Sequence, residues 1–478
     1  MVAAPHTLAR TLAVRTFRMA DQEAFAAASG DRNPMHMDPL AARRTQMGRP
    51  VVHGMHALLW ALDALAAATD AHPLGALRCQ FLKPMYLDEP LETVLVASTP
   101  TEAKLEVRAA GAAVLKATLK PAAPSTVEPE PLPAAVPADA AWDVLDIAQM
   151  QGLSGAVSPL LPGAAPLFPA LVQAIGAERV RGLTVLSTIV GMRCPGLHSI
   201  FAGLKLSLAE PTGTSAVGWR AQHVDARFRS VTLTVWGPGL AGELEALVRR
   251  PPTEQSDAAA VSALVDGDEF VGVRALVVGG SRGLGALCAR ILAAGGAEVV
   301  LTYARGEADA QAVAADIVAA GGRAQVAALD VERAVAPQLA DLAFAPSHLF
   351  HFATGPIFSR RDGLFDSPAF ASFARFYVEG FAETVDACRA NGDGKLRAFY
   401  PSSTAVADRP RGMTEYAMAK AAGELLCEDL DRWADGVSVV IRRLPRLLTD
   451  QTAVTAPVAV GDSLAVMLEA VRATCAAA

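Results

Sequence analysis

The sequence contains no CxxC pair, no long basic run and no apolar stretch long enough to span a bilayer. Its six cysteines are scattered, as free thiols in a reducing compartment are, and not in the spacing of a disulfide framework or a zinc site. With a net charge of −7 and no basic run, the chain offers no electrostatic footprint for nucleic acid. The longest apolar helical run, Met55 to Ala68, is interrupted by Asp63 and falls short of the roughly 20 residues a membrane helix needs. The arginine and alanine of the first residues faintly suggest a transit peptide, but Thr11 to Met19 alternates like a first strand. The expectation is a soluble, cytoplasmic protein with neither nucleic acid nor membrane as partner. What the chain does have is 478 residues, 52% of them hydrophobic and 19% charged. That suffices for about three domains of ~150 residues, each with a buried core.

The stretch Gly30-Asp31-Arg32-Asn33-Pro34-Met35-His36-Met37-Asp38 puts an acid, an amide and an imidazole into a turn-rich segment. It follows a helix-prone run, Glu23 to Ser29, and its Gly30 and Asn33-Pro34 bend the backbone. Such a bend can bring Asp31 and His36 to one site, as general acid/base chemistry requires. The polar residues alone also suit an Asx-type turn with a surface histidine. The whole string resembles the signature of the MaoC-like (R)-specific enoyl-CoA hydratases, Gly-Asp-x-Asn-Pro-x-His-x-Asp. Val52-His53-Gly54-Met55 sits where that family carries its His-Gly-Met. Downstream, His53 to Ala68 reads as an apolar helix ended by Asp70-Ala-His-Pro, and Leu77 to Val96 and Lys104 to Lys120 alternate as antiparallel strands. One helix wrapped by strands matches the family's hotdog fold.

A degenerate repeat is expected to follow. Leu153-Ser-Gly-Ala-Val-Ser-Pro-Leu-Leu-Pro162 can be laid without a gap under Ala28 to Met37, which pairs Asp31 with Ala156 and His36 with Leu161. Pro195-Gly196 and the run to Phe201 resemble the turn and central strand that follow a hotdog helix, with His198 as a satisfied structural histidine. This resembles the double-hotdog hydratases, in which one half is catalytic and the other houses the acyl chain.

From Val271 the pattern changes to short β-branched runs alternating with alanine-rich helices, the sign of a parallel α/β sheet. The strand Ala275 to Val278 leads into Gly279-Gly280-Ser281-Arg282-Gly283-Leu284-Gly285, which opens a helix. Glycines there let the backbone approach a pyrophosphate whose charge the helix N-terminus stabilises. Together with Tyr416-Ala-Met-Ala-Lys420 and Ser403, the combination resembles the short-chain dehydrogenase/reductases over roughly residues 271 to 450. An NAD site wants an acid ~20 positions past the glycines. Here Thr302-Tyr303-Ala304-Arg305 stands there and Arg282 lies in the loop, two cations that suit the 2′-phosphate of NADPH. By resemblance, Asp330 and Val331 contact adenine, and Thr354 and Gly355 line the cofactor. The family's Asn-Asn-Ala-Gly is replaced by Phe352-Ala353-Thr354-Gly355, its helix asparagine by Tyr377, and its Pro-Gly after the sixth strand by Pro445-Arg446. These departures bear on the proton relay, the substrate lid and the oligomer contacts.

The reading is thus an α+β double hotdog, an antiparallel sheet wrapping a helix twice over, followed by an α/β Rossmann domain. Its expected boundaries are a catalytic hotdog at 1–120, a Pro/Ala linker at 121–140, a degenerate hotdog at 141–250, a polar linker at 251–270 and the reductase domain at 271–478. The family resemblance implies that Asp31 and His36 add or remove water across the α,β bond of an acyl thioester, with either residue as acid or base. Gly54 offers a backbone N–H to the enolate-like oxygen, and Asn33 braces the loop. Tyr416 would donate a proton to the developing alkoxide, Lys420 would lower its pKa and grip the nicotinamide ribose, and Ser403 would bind the carbonyl. No metal is expected. The expected function is reduction of a 3-oxoacyl thioester by NADPH, then dehydration of the (3R)-hydroxyacyl product to the trans-2-enoyl thioester, in fatty-acid or polyketide-like biosynthesis. The substrate is carried on CoA or an acyl carrier protein, and a homodimer is left open. The rivals are the same sites running oxidatively, as hydratase and (3R)-hydroxyacyl-CoA dehydrogenase, and a non-catalytic acyl-carrier-binding scaffold.

Overall fold

The computed structural model describes residues 9–68, 74–121, 131–209, 215–340, 342–357, 364–452 and 461–476. The expected helix end at Asp70 to Pro73, the chain's first residues and part of the 121–140 segment lie outside them. Two compact units divide between Pro251 and Pro252. No helix among the described residues is long and apolar enough to cross a membrane.

In the first unit, β1 (Arg10–Thr16) leads into α1 (Met19–Ser29), the short helices α2 (Pro34–Met37) and α3 (Pro39–Arg43), and then α4 (Gly54–Ala68). Strands β2 (Ala76–Phe81), β3 (Pro90–Thr99), β4 (Glu102–Ala109) and β5 (Ala112–Lys120) follow. The α4 sequence, GMHALLWALDALAAA, holds no β-branched residue, and its buried positions, Met55 to Leu62 and Leu65, face all round the helix. A helix apolar on every side belongs inside a core, and the sheet wraps it.

The chain then runs through β6 (Ala135–Pro137), β7 (Ser154–Ser158), α5 (Pro169–Ile175), α6 (Ala177–Thr188) and a π-helical turn at Ile189–Arg193. It continues through β8 (Ser199–Leu208), β9 (Val217–Asp225), β10 (Ser230–Gly237) and β11 (Leu240–Val248). All these strands join one 11-stranded sheet, ordered β1-β3-β4-β5-β2-β8-β11-β10-β9-β7-β6. Counted outward from the antiparallel β2–β8 seam, β2-β5-β4-β3-β1 is matched by β8-β11-β10-β9-β7. The sequence pairing of Leu153–Pro162 with Ala28–Met37 is therefore a register error. Residues 154–158 form β7, which pairs β9 as β1 pairs β3, so Ala156 and Leu161 are not the structural partners of Asp31 and His36. The true counterpart, between β7 and α6, runs from Pro159 to Gly176 and contains no acid or histidine. The 121–140 segment is not wholly a linker either: β6 pairs in parallel with β7, and Ala138 is buried.

The second unit starts inside the expected 251–270 linker. There α7 (Ala258–Ser262) forms, and Val261 and Phe270 are buried with the core of the unit. Apolar side chains at these positions give the segment a place to pack, which its overall polarity hid. Next come β12 (Arg274–Val278), α8 (Gly283–Ala294), β13 (Glu298–Tyr303), α9 (Glu307–Ala319), β14 (Arg323–Ala328), α10 (Val335–Leu339) and β15 (His348–His351). The unit is completed by α11 (Ser367–Ala374), a π-helical turn at Arg375–Glu379, α12 (Gly380–Asn391), β16 (Leu396–Ser403), α13 (Ala405–Asp408), α14 (Thr414–Trp433), β17 (Val437–Leu444) and α15 (Ser463–Cys475). Its six strands are parallel in the order β14-β13-β12-β15-β16-β17. The order reverses between β12 and β15, and a doubly wound sheet binds ligands at that crevice.

Leu58 is fully buried in the first core, whereas Leu161 is 80% exposed. Leu58→Ala should therefore destabilise the first unit by about 2–5 kcal/mol and Leu161→Ala by no more than about 0.5 kcal/mol. Four of the five tryptophans (60, 142, 219 and 236) lie in that unit, so tryptophan fluorescence in a urea titration reads the difference.

Candidate functional site

Local chain chemistry builds the first site. Gly30 ends α1 with φ 83°, and an added Cβ there would lie 2.3 Å from the Ala138 carbonyl oxygen. Both the left-handed backbone and the close approach call for glycine. Asn33 then caps α2, its side chain accepting from Met35 N–H, with Pro34 at the first helical position. Asp38 caps α3 through Leu40 and Ala41 N–H. The turn predicted for this string is thus a pair of capped helical turns, which carries Asp31 and His36 inward.

Both are buried. The Ser187 hydroxyl donates to Asp31 Oδ2 at 2.6 Å, and Asn33 N–H donates to Oδ1 at 3.1 Å. His36 Nδ1 lies 2.8 Å from the Val51 carbonyl. A carbonyl only accepts, so Nδ1 carries the proton and Nε2 keeps its lone pair. Burial pushes the Asp31 carboxyl up, against smaller downward pulls from His36, Ser187 and the Asn33 N–H. Burial likewise pushes His36 down, opposed by Asp31 and the Val51 bond and aided by the charge of Arg249. Both groups are held toward their neutral forms.

His53, in the second motif but given no role from sequence, stacks on His36 with ring centroids 4.0 Å apart. Gln22 explains its orientation. The Gln22 amide nitrogen donates to the Val51 carbonyl at 2.8 Å, which turns its oxygen toward His53 Nδ1 at 3.3 Å. His53 Nε2 faces the Asp31 carbonyl at 3.1 Å. Donor atoms of Asp31, His36 and His53 lie within 4.8 Å of one another. A neutral His53 has a single N–H for the Gln22 and Asp31 acceptors, and the charge of Arg249, felt at His36, opposes a dication in the cluster. Gly54 opens α4, whose first-turn N–H groups have no acceptor within the helix. A Cβ on Gly54 would come 2.9 Å from the Phe81 ring.

The second half of the sheet supplies what sequence reasoning missed. Besides Ser187, Thr188 donates to the Ser29 carbonyl at 2.6 Å, and Asn33 Nδ2 donates to the Gly191 carbonyl at 2.9 Å. A Cβ on Gly191 would sit 2.7 Å from both Asp31 oxygens, so only glycine fits. Asn33 Nδ2 also reaches the Leu197 carbonyl, to which Arg249 donates at 2.8 Å. Serine and glycine on an apolar helix carry no sequence signal for such a task. His198 lies outside the cluster, and its Nδ1 has no hydrogen-bond partner among the described residues. Burial, Arg249 and Arg229 push it down to about 4. It is not the satisfied histidine expected.

The second site lies at the sheet's reversal point. Gly279 has φ 77°, and a Cβ on Gly285 would be 2.3 Å from the Gly279 carbonyl oxygen, so the loop needs both glycines to turn and to pack on α8. Gly283, at φ 57°, begins α8, and Arg282 stands at its N-cap position without a side-chain capping bond, with Ser281 and Leu284 half-buried alongside. The expectation of two cations without an acid is incomplete. Arg282 Nη1 lies 3.2 Å from Asp450 Oδ2, and Arg305 lies 3.5 Å from Glu332. Both acids come from elsewhere in the chain, out of reach of a spacing rule. Asp330 follows β14, its backbone held by Gln338 and its carboxylate accepting from Glu332 N–H, beside buried Val331.

Ser403 ends β16, and Tyr416 and Lys420 lie one turn apart on α14. Burial pushes the Tyr416 phenol up, and a hydrogen bond with Ser403 pulls it down. Lys420 is buried and donates to the Pro401 carbonyl at 2.6 Å, with its ammonium 3.8 Å from the centre of the Tyr377 ring. Burial lowers its pKa to about 7. Tyr377 sits in the π-helical turn and bonds Thr354 through its hydroxyl at 2.5 Å, while Gly355 packs against Phe376. The triad residues and glycine loop predicted from sequence occupy the C-terminal edge of one parallel sheet.

The Asp31 shift has a consequence for stability. A carboxyl whose folded pKa lies above its unfolded value loses stability as pH rises through the window between them. Asp31→Asn removes that penalty, so its gain in thermal stability over the parent should be larger at about pH 8 than at about pH 4. Tryptophan-detected melting at the two pH values measures this, and a gain that shrinks with rising pH contradicts it.

The MaoC-like-domain family model matches residues 3–115, and the short chain dehydrogenase model matches residues 274–343. A 3-hydroxyacyl-thioester dehydratase of Mycobacterium tuberculosis is 33% identical over 95 residues, covering 19% of this chain and 33% of that protein. An (R)-specific enoyl-CoA hydratase of Aeromonas caviae is 51% identical over 41 residues, covering 9% and 31%. A solved 3-oxoacyl (acyl-carrier-protein) reductase of Agrobacterium tumefaciens with NADP bound is 25% identical, covering 38% of this chain and 74% of that one, with a TM-score of 0.35. The chain spans a third or less of the length of the curated relatives that it matches. It carries a MaoC-like dehydratase domain at residues 3–115 and a short-chain dehydrogenase domain matched at residues 274–343.

Proposed function

We propose that the first unit is a double hotdog and that the chain is a bifunctional ketoreductase and dehydratase of acyl thioesters. The observation that carries the dehydratase reading is the buried Asp31 carboxyl set beside a His36 whose Nδ1 proton is committed to Val51. In the dehydrating direction His36 Nε2 takes the α-proton of a 3-hydroxyacyl thioester. The neutral Asp31 carboxyl gives its proton to the departing hydroxyl. The C–O bond breaks, the α,β double bond forms and water leaves. The Gly54 N–H, at the positive end of α4, steadies the enolate-like thioester oxygen. His36 ends protonated and Asp31 ionised, and proton exchange with water resets the pair. Burial favours the neutral starting forms of both groups. The relatives named as a thioester dehydratase and an enoyl-CoA hydratase support the same substrate class.

In the second unit the positive-φ Gly279, the close Gly285, the α8 N-terminus and the cations Arg282 and Arg305 fit a dinucleotide bearing a 2′-phosphate. When bound, NADPH supplies the hydride. Ser403 holds the ketone oxygen, and Tyr416 donates its phenolic proton to that oxygen. Lys420, fixed by the Pro401 carbonyl and the Tyr377 face, lowers the tyrosine's pKa by its charge and grips the ribose. The product of this step, a (3R)-hydroxyacyl thioester on CoA or a carrier protein, is the substrate of the first unit.

Single-site variants separate the two steps. With NADPH and a 3-oxoacyl thioester, Asp31→Asn should accumulate the (3R)-hydroxy compound. Tyr416→Phe should leave the ketone intact yet still interconvert hydroxyacyl and enoyl thioesters. Chiral chromatography of the arrested product decides the matter, and a (3S) product sinks the single-pathway reading.

A further inference from the structure

After β17 the chain closes a tight turn. Thr449 N–H donates to Thr452 Oγ1 at 2.8 Å, Thr452 Oγ1 donates to the Leu447 carbonyl, and Arg446 donates to the Thr452 carbonyl at 2.7 Å. Next to it, Gln451 accepts from Ile357 N–H at 2.9 Å. This turn sets Asp450 beside the glycine loop with its side chain only 12% exposed. One carboxylate oxygen accepts from Thr253 N–H at 2.9 Å, and the other pairs with Arg282 at 3.2 Å. The acid is thus tethered from two sides, against the cation that precedes α8.

We propose that Asp450 is a specificity-determining residue that weakens the site's hold on the 2′-phosphate of NADPH, relative to NADH, by keeping Arg282 in an ion pair. The inference rests on the reading of Arg282 as a phosphate contact. A guanidinium already neutralised by a carboxylate attracts a phosphate less. The carboxylate cannot swing away without stranding the Thr253 N–H, so an incoming phosphate meets a fixed like charge. One unit charge a few ångströms away in a half-exposed site changes affinity on the order of tenfold. NADH has no 2′-phosphate and meets that charge only through the pyrophosphate that both nucleotides share.

The test is fluorescence titration of the full chain with NADPH and with NADH at low ionic strength, where screening is weak. Asp450→Asn keeps the size of the side chain and an acceptor for Thr253 while removing the charge. It should tighten NADPH on the order of tenfold and leave NADH within about twofold. An NADPH affinity that is unchanged or weaker in Asp450→Asn overturns the proposal, because Asp450 is then neutral or aligns Arg282. A parallel change for both nucleotides overturns it too, by showing a general disturbance of the turn. If the unmodified protein binds neither nucleotide, the reductase reading itself fails and the inference falls with it. That result is distinct from normal binding with an unaltered preference.

Discussion

A carboxylate taken out of water must be given donors, and the first unit is organised to give them to Asp31. Its own loop supplies one, the Asn33 N–H. The second comes from Ser187, 156 positions along the chain, on the central helix of the other half. The π-helical turn that continues that helix brings Gly191 against the carboxylate, where no side chain fits, and aims the Gly191 carbonyl at Asn33. Removing a donor from a buried carboxylate costs more than the net gain of forming the bond. The half whose segment between β7 and α6 lacks acid and histidine is therefore as necessary to the site as the half that carries Asp31 and His36.

The second unit handles the opposite charge by a related route. Lys420 is buried, and among the described residues no carboxylate pairs with its ammonium. It relies on the Pro401 carbonyl and the π-face of Tyr377, the latter a contact of about 0.5–2 kcal/mol. The nearest acid along the helix, Glu424, is taken by Arg443 and by the Ser402 hydroxyl. Desolvation then moves Lys420 down and Asp31 up. In both units burial shifts an ionisable group toward its neutral form, which suits groups that exchange protons.

Much of this was legible in the sequence, because the signals were local. The string from Gly30 to Asp38 announced a bend, the apolar run after His53 announced a central helix, and strand-glycine-helix order announced the parallel sheet. The errors arose where the cause was distant. Serine and glycine at 154–158 resembled those at 29–30, yet sheet pairing with β9 made the segment a strand, since tertiary pairing overrides a short local likeness. Arg282 and Arg305 stood out by spacing, but Asp450 and Glu332 come to them only through the fold. His53 was visible in its motif, but its place depends on Gln22, whose side chain has no reason to be singled out until the Val51 carbonyl is seen beside it.

The β2–β8 seam joins the two halves through a run of antiparallel pairs from Ala76–Ser207 to Gln80–Gly203. A site assembled from two separate copies of a half would come apart on dilution, and its activity would fall with protein concentration. Here the tether makes the encounter of Ser187 with Asp31 intramolecular, at an effective concentration fixed by the chain. Covalent joining also frees the two halves to differ. One keeps the acid and the imidazole, while the other presents a hydroxyl and a glycine to the carboxylate.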